Sequence, residues 1–128
     1  MKFVCLGYLD EQAWSKLDAG RQQAMIADCL AYDRELQAGG HFAGGYALQA
    51  AGAATTLRWK DGRASSTDGP FAETKELLGG ILVLEAKDKA EALALMSRHP
   101  GVRMGGFEVR PADEAFMAQH PVLKSLQE

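Results

Sequence analysis

The stretch Ile81-Leu82-Val83-Leu84-Glu85-Ala86 decides the fold. A short apolar run of this kind fits a strand, and successive side chains of a strand point to opposite faces. Ile81 and Val83 therefore leave one face of a sheet, Leu82 and Leu84 the other. The opening stretch Lys2-Phe3-Val4-Cys5-Leu6-Gly7-Tyr8 repeats the pattern, with Phe3 and Cys5 on one side and Val4, Leu6 and Tyr8 on the other. Strands that are apolar on both faces are buried on both faces, so this sheet needs two covers.

Helices supply one of them. Residues 10–17 read as one or two helical turns, and residues 18–37 as a longer helix. Its Met25, Ile26, Cys29, Leu30, Tyr32 and Leu36 recur three and four apart as a core stripe. Gly39-Gly40 ends it. A second helix opens on Asp88 and Glu91 as a capping pair, carries Ala90, Leu93, Ala94 and Met96, and stops at His99-Pro100-Gly101. Residues 42–48 read as a glycine-interrupted strand, residues 50–54 as a loop of small residues, and residues 102–110 as the last strand. Gly105-Gly106 makes a bulge in that strand. Residues 72–78 read as one or two helical turns stopped by Gly79-Gly80.

Asp61-Gly62 is the two-residue signature of a type I′ hairpin. Counting outward, Lys60 pairs with Arg63, Trp59 with Ala64, Leu57 with Ser66 and Thr55 with Asp68. Directly opposed side chains share a face. Asp68 therefore lies with Leu57 and Trp59, and Arg58 with Ser65 on the other side. A loop follows at Asp68-Gly69-Pro70-Phe71.

The order strand, helix, strand, hairpin, strand, helix, strand gives an α+β domain. It is a ferredoxin-like βαββαβ sheet with an inserted hairpin and both helices on one face. The other face stays bare, and the chain has no spare strands to cover it. A second copy of the chain is the simplest cover, which makes a homodimer built as a dimeric α+β barrel. Burial at about 25 cal/mol per Å² favours a cover of that size. The alternative cover is the tail, residues 113–128, folding back over the domain of residues 1–112; it reads as a short helix cut at His120-Pro121.

The 128 residues fit one domain, and 47% of them are apolar. A net charge of −3 with both signs scattered, and no basic stripe, argues against nucleic acid as a partner. No apolar run approaches the ~20 residues that cross a bilayer, and the first apolar stretch is too short for a signal peptide. A cytoplasmic protein is expected, with Cys5 and Cys29 as thiols. The three histidines, His41, His99 and His120, are too scattered for a metal site, and no cofactor fingerprint is readable.

The run Thr67-Asp68-Gly69-Pro70-Phe71-Ala72-Glu73-Thr74-Lys75-Glu76, continued by Leu77-Leu78-Gly79-Gly80, resembles the YCII-related family. More narrowly, it resembles the branch named for its Asp-Gly-Pro-Phe motif. The opening strand, the helix ending Glu35-Leu36-Gln37-Ala38-Gly39, the hairpin and the ending Val109-Arg110-Pro111 match the family layout over residues 2–112. The resemblance implies a dimeric α+β barrel. It implies little about activity, since most members of the branch have none assigned. Some are encoded beside extracytoplasmic-function sigma factors, which implies association with such a factor. Some wider relatives resemble lyases that use a His-Asp pair, the His lying on the first long helix. This chain departs from that pattern, with Met25 on that helix and no histidine in residues 18–37.

Asp68, beside an apolar wall of Leu57 and Trp59, is a candidate general base or substrate-orienting carboxylate. Its plain reading is an aspartate stabilising a turn before Gly-Pro. His41 is the candidate acid partner, or else a solvated loop histidine. Tyr8, Tyr46 and Arg58 are candidate donors to an anionic or enol-type ligand, with Trp59 and Phe71 as apolar contacts. Thr74 and Lys75 either present polar groups to a ligand or form a solvated turn. His99 and His120, each before a proline, read as structural. Two classes of function remain. One is binding of a small organic molecule in the barrel, with proton-transfer chemistry of the isomerase or lyase type as its catalytic form. The other is a non-catalytic regulatory module.

Overall fold

The computed structural model describes residues 1–126. Strand β1 (Lys2–Leu9) leads through helix α1 (Glu11–Ser15) into the long helix α2 (Ala19–Ala38). Both helices begin where an aspartate satisfies a first-turn donor: Asp10 accepts from the Ala13 N–H at 3.0 Å and Asp18 from the Arg21 N–H at 2.8 Å. α2 ends on its glycine pair. Gly40 takes φ +78°. The N–H groups of His41 and Gly40 then return to the carbonyls of Leu36 and Gln37 at 2.8 and 3.1 Å, a Schellman motif. Strand β2 (Phe42–Ala47), the hairpin β3 (Thr55–Lys60) and β4 (Arg63–Asp68), strand β5 (Leu77–Glu85), helix α3 (Lys89–Ser97) and strand β6 (Phe107–Pro111) follow. Helices α4 (Glu114–Gln119) and α5 (Pro121–Leu126) form the tail.

Four strands make one antiparallel sheet in the order β2-β5-β1-β6, and the hairpin is a separate two-stranded sheet. This is the ferredoxin-like βαββαβ arrangement with a hairpin inserted between its second and third strands. Phe3 lies opposite Leu84 and Cys5 opposite Leu82, so all four share a face. They are buried there with Tyr32 and Leu36 of α2 and Ala92 and Met96 of α3. The opposite face carries Val4 against Val83 and Leu6 against Ile81, all half-buried. The tail seats its apolar side chains only in part: Met117 and Leu123 are half-buried, whereas Phe116 and Val122 are 58% and 63% exposed. Among the described residues, no helix is long and apolar enough to cross a membrane.

The hairpin pairs in the predicted register at every position. Asp61 and Gly62 have φ of 53° and 77°, as a type I′ turn requires. Four expectations are corrected. Residues 72–78 form no helix. Leu77 and Leu78 already pair with Leu9 and Tyr8, so β5 begins there, and Gly79 is the extra residue of a bulge rather than a stop. Residues 102–104 belong to a 3₁₀ turn (Pro100–Met104), and β6 starts only at Phe107. Gly105-Gly106 is the crossing between them. A Cβ at Gly105 would collide with the carbonyl oxygen of Tyr8. On α2 the inward stripe is narrower than expected. Met25, Cys29, Tyr32 and Leu36 face the sheet, whereas Ile26 and Leu30 are 57% and 49% exposed. On α3 the buried residues are Ala92 and Met96, while Leu93 is exposed.

Candidate functional site

A cleft of about 440 Å³ lies between α2, the 3₁₀ turn and the strands β1, β2 and β5. Gly7, Gly45, Gly79 and Gly80 all line it. Its apolar wall includes Phe42, Leu82, Met104 and Phe107. Cys29 and Asp33 face it together, because residues four apart on a helix lie one above the other.

Among the described residues that line the cleft, Asp33 is the only carboxylate, and a histidine stands beside it. His99, 6% exposed, places Nε2 2.9 Å from Asp33 Oδ1. Its Nδ1 accepts the Gly101 N–H at 2.9 Å. A backbone N–H can only donate, so Nδ1 must be the unprotonated nitrogen and Nε2 carries the hydrogen. The ring is thus assigned as the neutral Nε2–H tautomer, donating to the carboxylate, rather than as a cation in a salt bridge. Tyr32 and Phe107 pack edge-on against the ring, with centroids at 5.4 and 5.0 Å. Turn, aromatic packing and hydrogen bond together hold Asp33 in place. No other hydrogen bond reaches its carboxylate among the described residues, so the remaining lone pairs are open to a donor. Burial, and then the charges of Asp33 and Asp28, push the Cys29 thiol up. It therefore lines the cleft as a protonated, weakly polar group.

A second cavity of about 600 Å³ lies under the Asp-Gly-Pro-Phe loop, lined by Leu48, Pro70, Phe71, Thr74 and Leu78. Tyr8 lines both cavities.

The sequence candidates separate between these places. Tyr8 and Tyr46 line the cleft, although Tyr46 is 78% exposed; Phe71 and Thr74 line the second cavity. Lys75 reaches toward Asp10 Oδ2 at 3.8 Å. Arg58 stacks 4.1 Å over the Phe71 ring and donates to the Phe71 carbonyl at 3.0 Å. Trp59 is 77% exposed on the hairpin. Asp68 is exposed at the end of β4 and lines neither cavity. His41 sits at the far end of β2, its Nδ1 2.8 Å from the carbonyl of Glu85. The hairpin leaves from the other end of β2, after Ala47, so one chain does not bring His41 and Asp68 together. Among the described residues, no group of three or more His, Cys, Asp or Glu side chains could hold a metal ion.

Asp33 and His99 are the residues that sequence reasoning passed over. His99 is structural in the sense that it caps the 3₁₀ turn, but it also touches the cleft carboxylate. A signal was present: Asp33 is an acid set into the inward stripe of α2, one turn after Cys29 and next to Tyr32.

A family model described as the YCII-related domain matches residues 1–115. An uncharacterised protein of Rhizobium meliloti is 33% identical over 115 residues, spanning 87% of this chain and 91% of that one. Among solved structures, the chain is similar in fold to 5-chloro-2-hydroxyhydroquinone dehydrochlorinase from Burkholderia phenoliruptrix, solved in complex with 2,5-dihydroxybenzoquinone. That likeness has a TM-score of 0.51 at 19% identity and covers 88% of this chain and 94% of that one. With a family model spanning nearly its whole length, and a relative aligned over most of it, the chain belongs to the YCII-related family.

Proposed function

We propose that this protein binds a small organic molecule in the cleft over Asp33, and that Asp33 is the group through which it acts. The observation that carries the reading is an open carboxylate in an apolar cleft, held in place by a buried histidine. Apolar walls with few, well-placed polar groups are what small-molecule sites share. A carboxylate whose partner histidine already holds its own proton is suited to take a proton from a ligand. Isomerase or lyase chemistry is the catalytic form of this reading, and the cleft favours Asp33 over Asp68 as the base. The fold neighbour's complex with a quinone supports a ring-sized ligand.

The working unit in this reading is a cytoplasmic homodimer. Val4, Leu6, Ile81 and Val83 leave an apolar sheet face half-covered, and Tyr46, Leu57 and Trp59 are 69–78% exposed. A second copy covers such a face through a two-fold interface. Sedimentation equilibrium should return twice the 13.8 kDa chain mass. A monomer at micromolar concentration would remove this part of the proposal.

The ligand reading is tested by a thermal-shift screen of uncharged ring compounds, followed by maleimide labelling of Cys29 with each stabilising compound present. A bound ring should slow labelling several-fold, because Cys29 shares the cleft. If stabilising compounds leave the labelling rate unchanged, they bind elsewhere and the assignment to this cleft fails.

A further inference from the structure

The cleft contains acceptors and no cation. Among its lining residues there is no lysine or arginine, and its one histidine is neutral in the assigned tautomer. Asp33 contributes a carboxylate with unused lone pairs. The raised Cys29 thiol stays protonated at neutral pH and offers only a weak donor. The two other donors on its walls, Tyr8 and Tyr46, are phenols without charge. An anion entering this space would lose water and meet a like charge with nothing to offset it. A ring bearing a hydroxyl or an ammonium would instead donate to Asp33 while its carbon skeleton packs on Phe42 and Phe107.

From this we infer the ligand class of the cleft: an apolar ring that carries an uncharged or positively charged O–H or N–H donor, with carboxylates and other anions excluded. The inference rests on the cleft being the ligand site. It is independent of whether chemistry follows binding.

Three probes of matched shape test it on the intact protein at pH 7: 2-naphthalenemethanol, 2-naphthylmethylamine and 2-naphthoate. Titration calorimetry gives the affinities, and Cys29 labelling reports whether each probe occupies the cleft. The alcohol and the amine should bind and protect Cys29. The naphthoate should bind at least about 30-fold more weakly, in line with a like-charge contact at reduced dielectric. Asp33→Asn keeps the acceptor oxygen for His99 and removes the charge. In that variant the naphthoate should approach the alcohol in affinity, and the amine should lose its advantage over it. Naphthoate that binds the unaltered protein as well as the alcohol and protects Cys29 overturns the charge inference and leaves the ligand site standing. If none of the three protects Cys29, both the inference and the reading beneath it are overturned.

Discussion

Asp33 and Asp68 carry the same side chain, and the fold treats them in opposite ways. Asp33 stands on the inward stripe of α2, accepts a hydrogen bond from a buried histidine and lines an apolar cleft. Asp68 ends strand β4 of the hairpin, exposed and outside both cavities. The conspicuous run of sequence surrounds Asp68, and nothing conspicuous surrounds Asp33. A rare run can mark a backbone requirement as readily as chemistry. Here Gly69, at φ +112°, takes a conformation that other residues adopt only under strain. A charged residue set into an apolar stripe is the better pointer, because burying it without a partner is costly.

The contrast can be broken most directly through the partners of the two aspartates. His99→Ala strips the donor from Asp33, leaves the Gly101 N–H without an acceptor and removes two aromatic edge contacts. A loss of about 3 kcal/mol in urea unfolding is expected, seen as a lower midpoint at unchanged slope. Asp68→Ala should stay within about 0.5 kcal/mol, as exposed substitutions usually do. Equal costs at the two sites would mean that Asp68 has a partner as demanding as His99.

The same contrast explains what could be read from the chain alone. The hairpin was legible because a type I′ turn is set by two adjacent residues, Asp61 and Gly62. The sheet order was legible because handedness and connection rules leave few topologies for this order of elements. The start of β5 was not, because pairing of Leu77 and Leu78 with Leu9 and Tyr8 overrides the local glycine signal. The 3₁₀ turn was hidden for a related reason: Gly105 is needed for its approach to Tyr8, almost a hundred residues earlier. Ile26 and Leu30 were misplaced because apolar spacing gives a helix its arc but not how much of the arc the sheet covers. Asp33 and His99 are 66 residues apart, and only the packed fold shows that they meet.

A second way to sharpen the comparison uses the layer beneath the cleft. Cys5 is fully buried, and burial alone pushes its thiol from 9.0 up to about 11. In the unfolded chain the thiol ionises first, so the unfolded state holds fewer protons as the pH rises. Stability contributed by the protonated native thiol is therefore complete below pH ~8.5 and is lost progressively toward pH ~11. The loss should approach 2–3 kcal/mol, at roughly 1.4 kcal/mol per pH unit. Other groups titrate in that range, so the difference between the native protein and Cys5→Ala isolates it: the variant is less stable at pH 7 but falls less steeply above pH 9. Parallel alkaline slopes would show that the thiol under the sheet is not shielded, and the dry layer on which the cleft rests would be in question.

The smallest effect is the most specific. Cys29 shares burial with Cys5 but also feels the charges of Asp33 and Asp28. Both charges disfavour the thiolate, which is the form that reacts with a maleimide. Asp33→Asn removes one of them, so the thiol should lose protons more readily and label faster at pH 8. Burial remains the larger cause of the shift, so the gain should be a few-fold, short of the tenfold that a full pKa unit would bring. Asp28→Asn should give a smaller gain, since its charge is the lesser contribution, and Asp68→Asn none. Cys5 is 0% exposed and should not contribute to the measured rate. Labelling that responds to Asp68→Asn as strongly as to Asp33→Asn would place both carboxylates near one thiol, an arrangement that a single chain does not provide and that only a second copy reaching across could create.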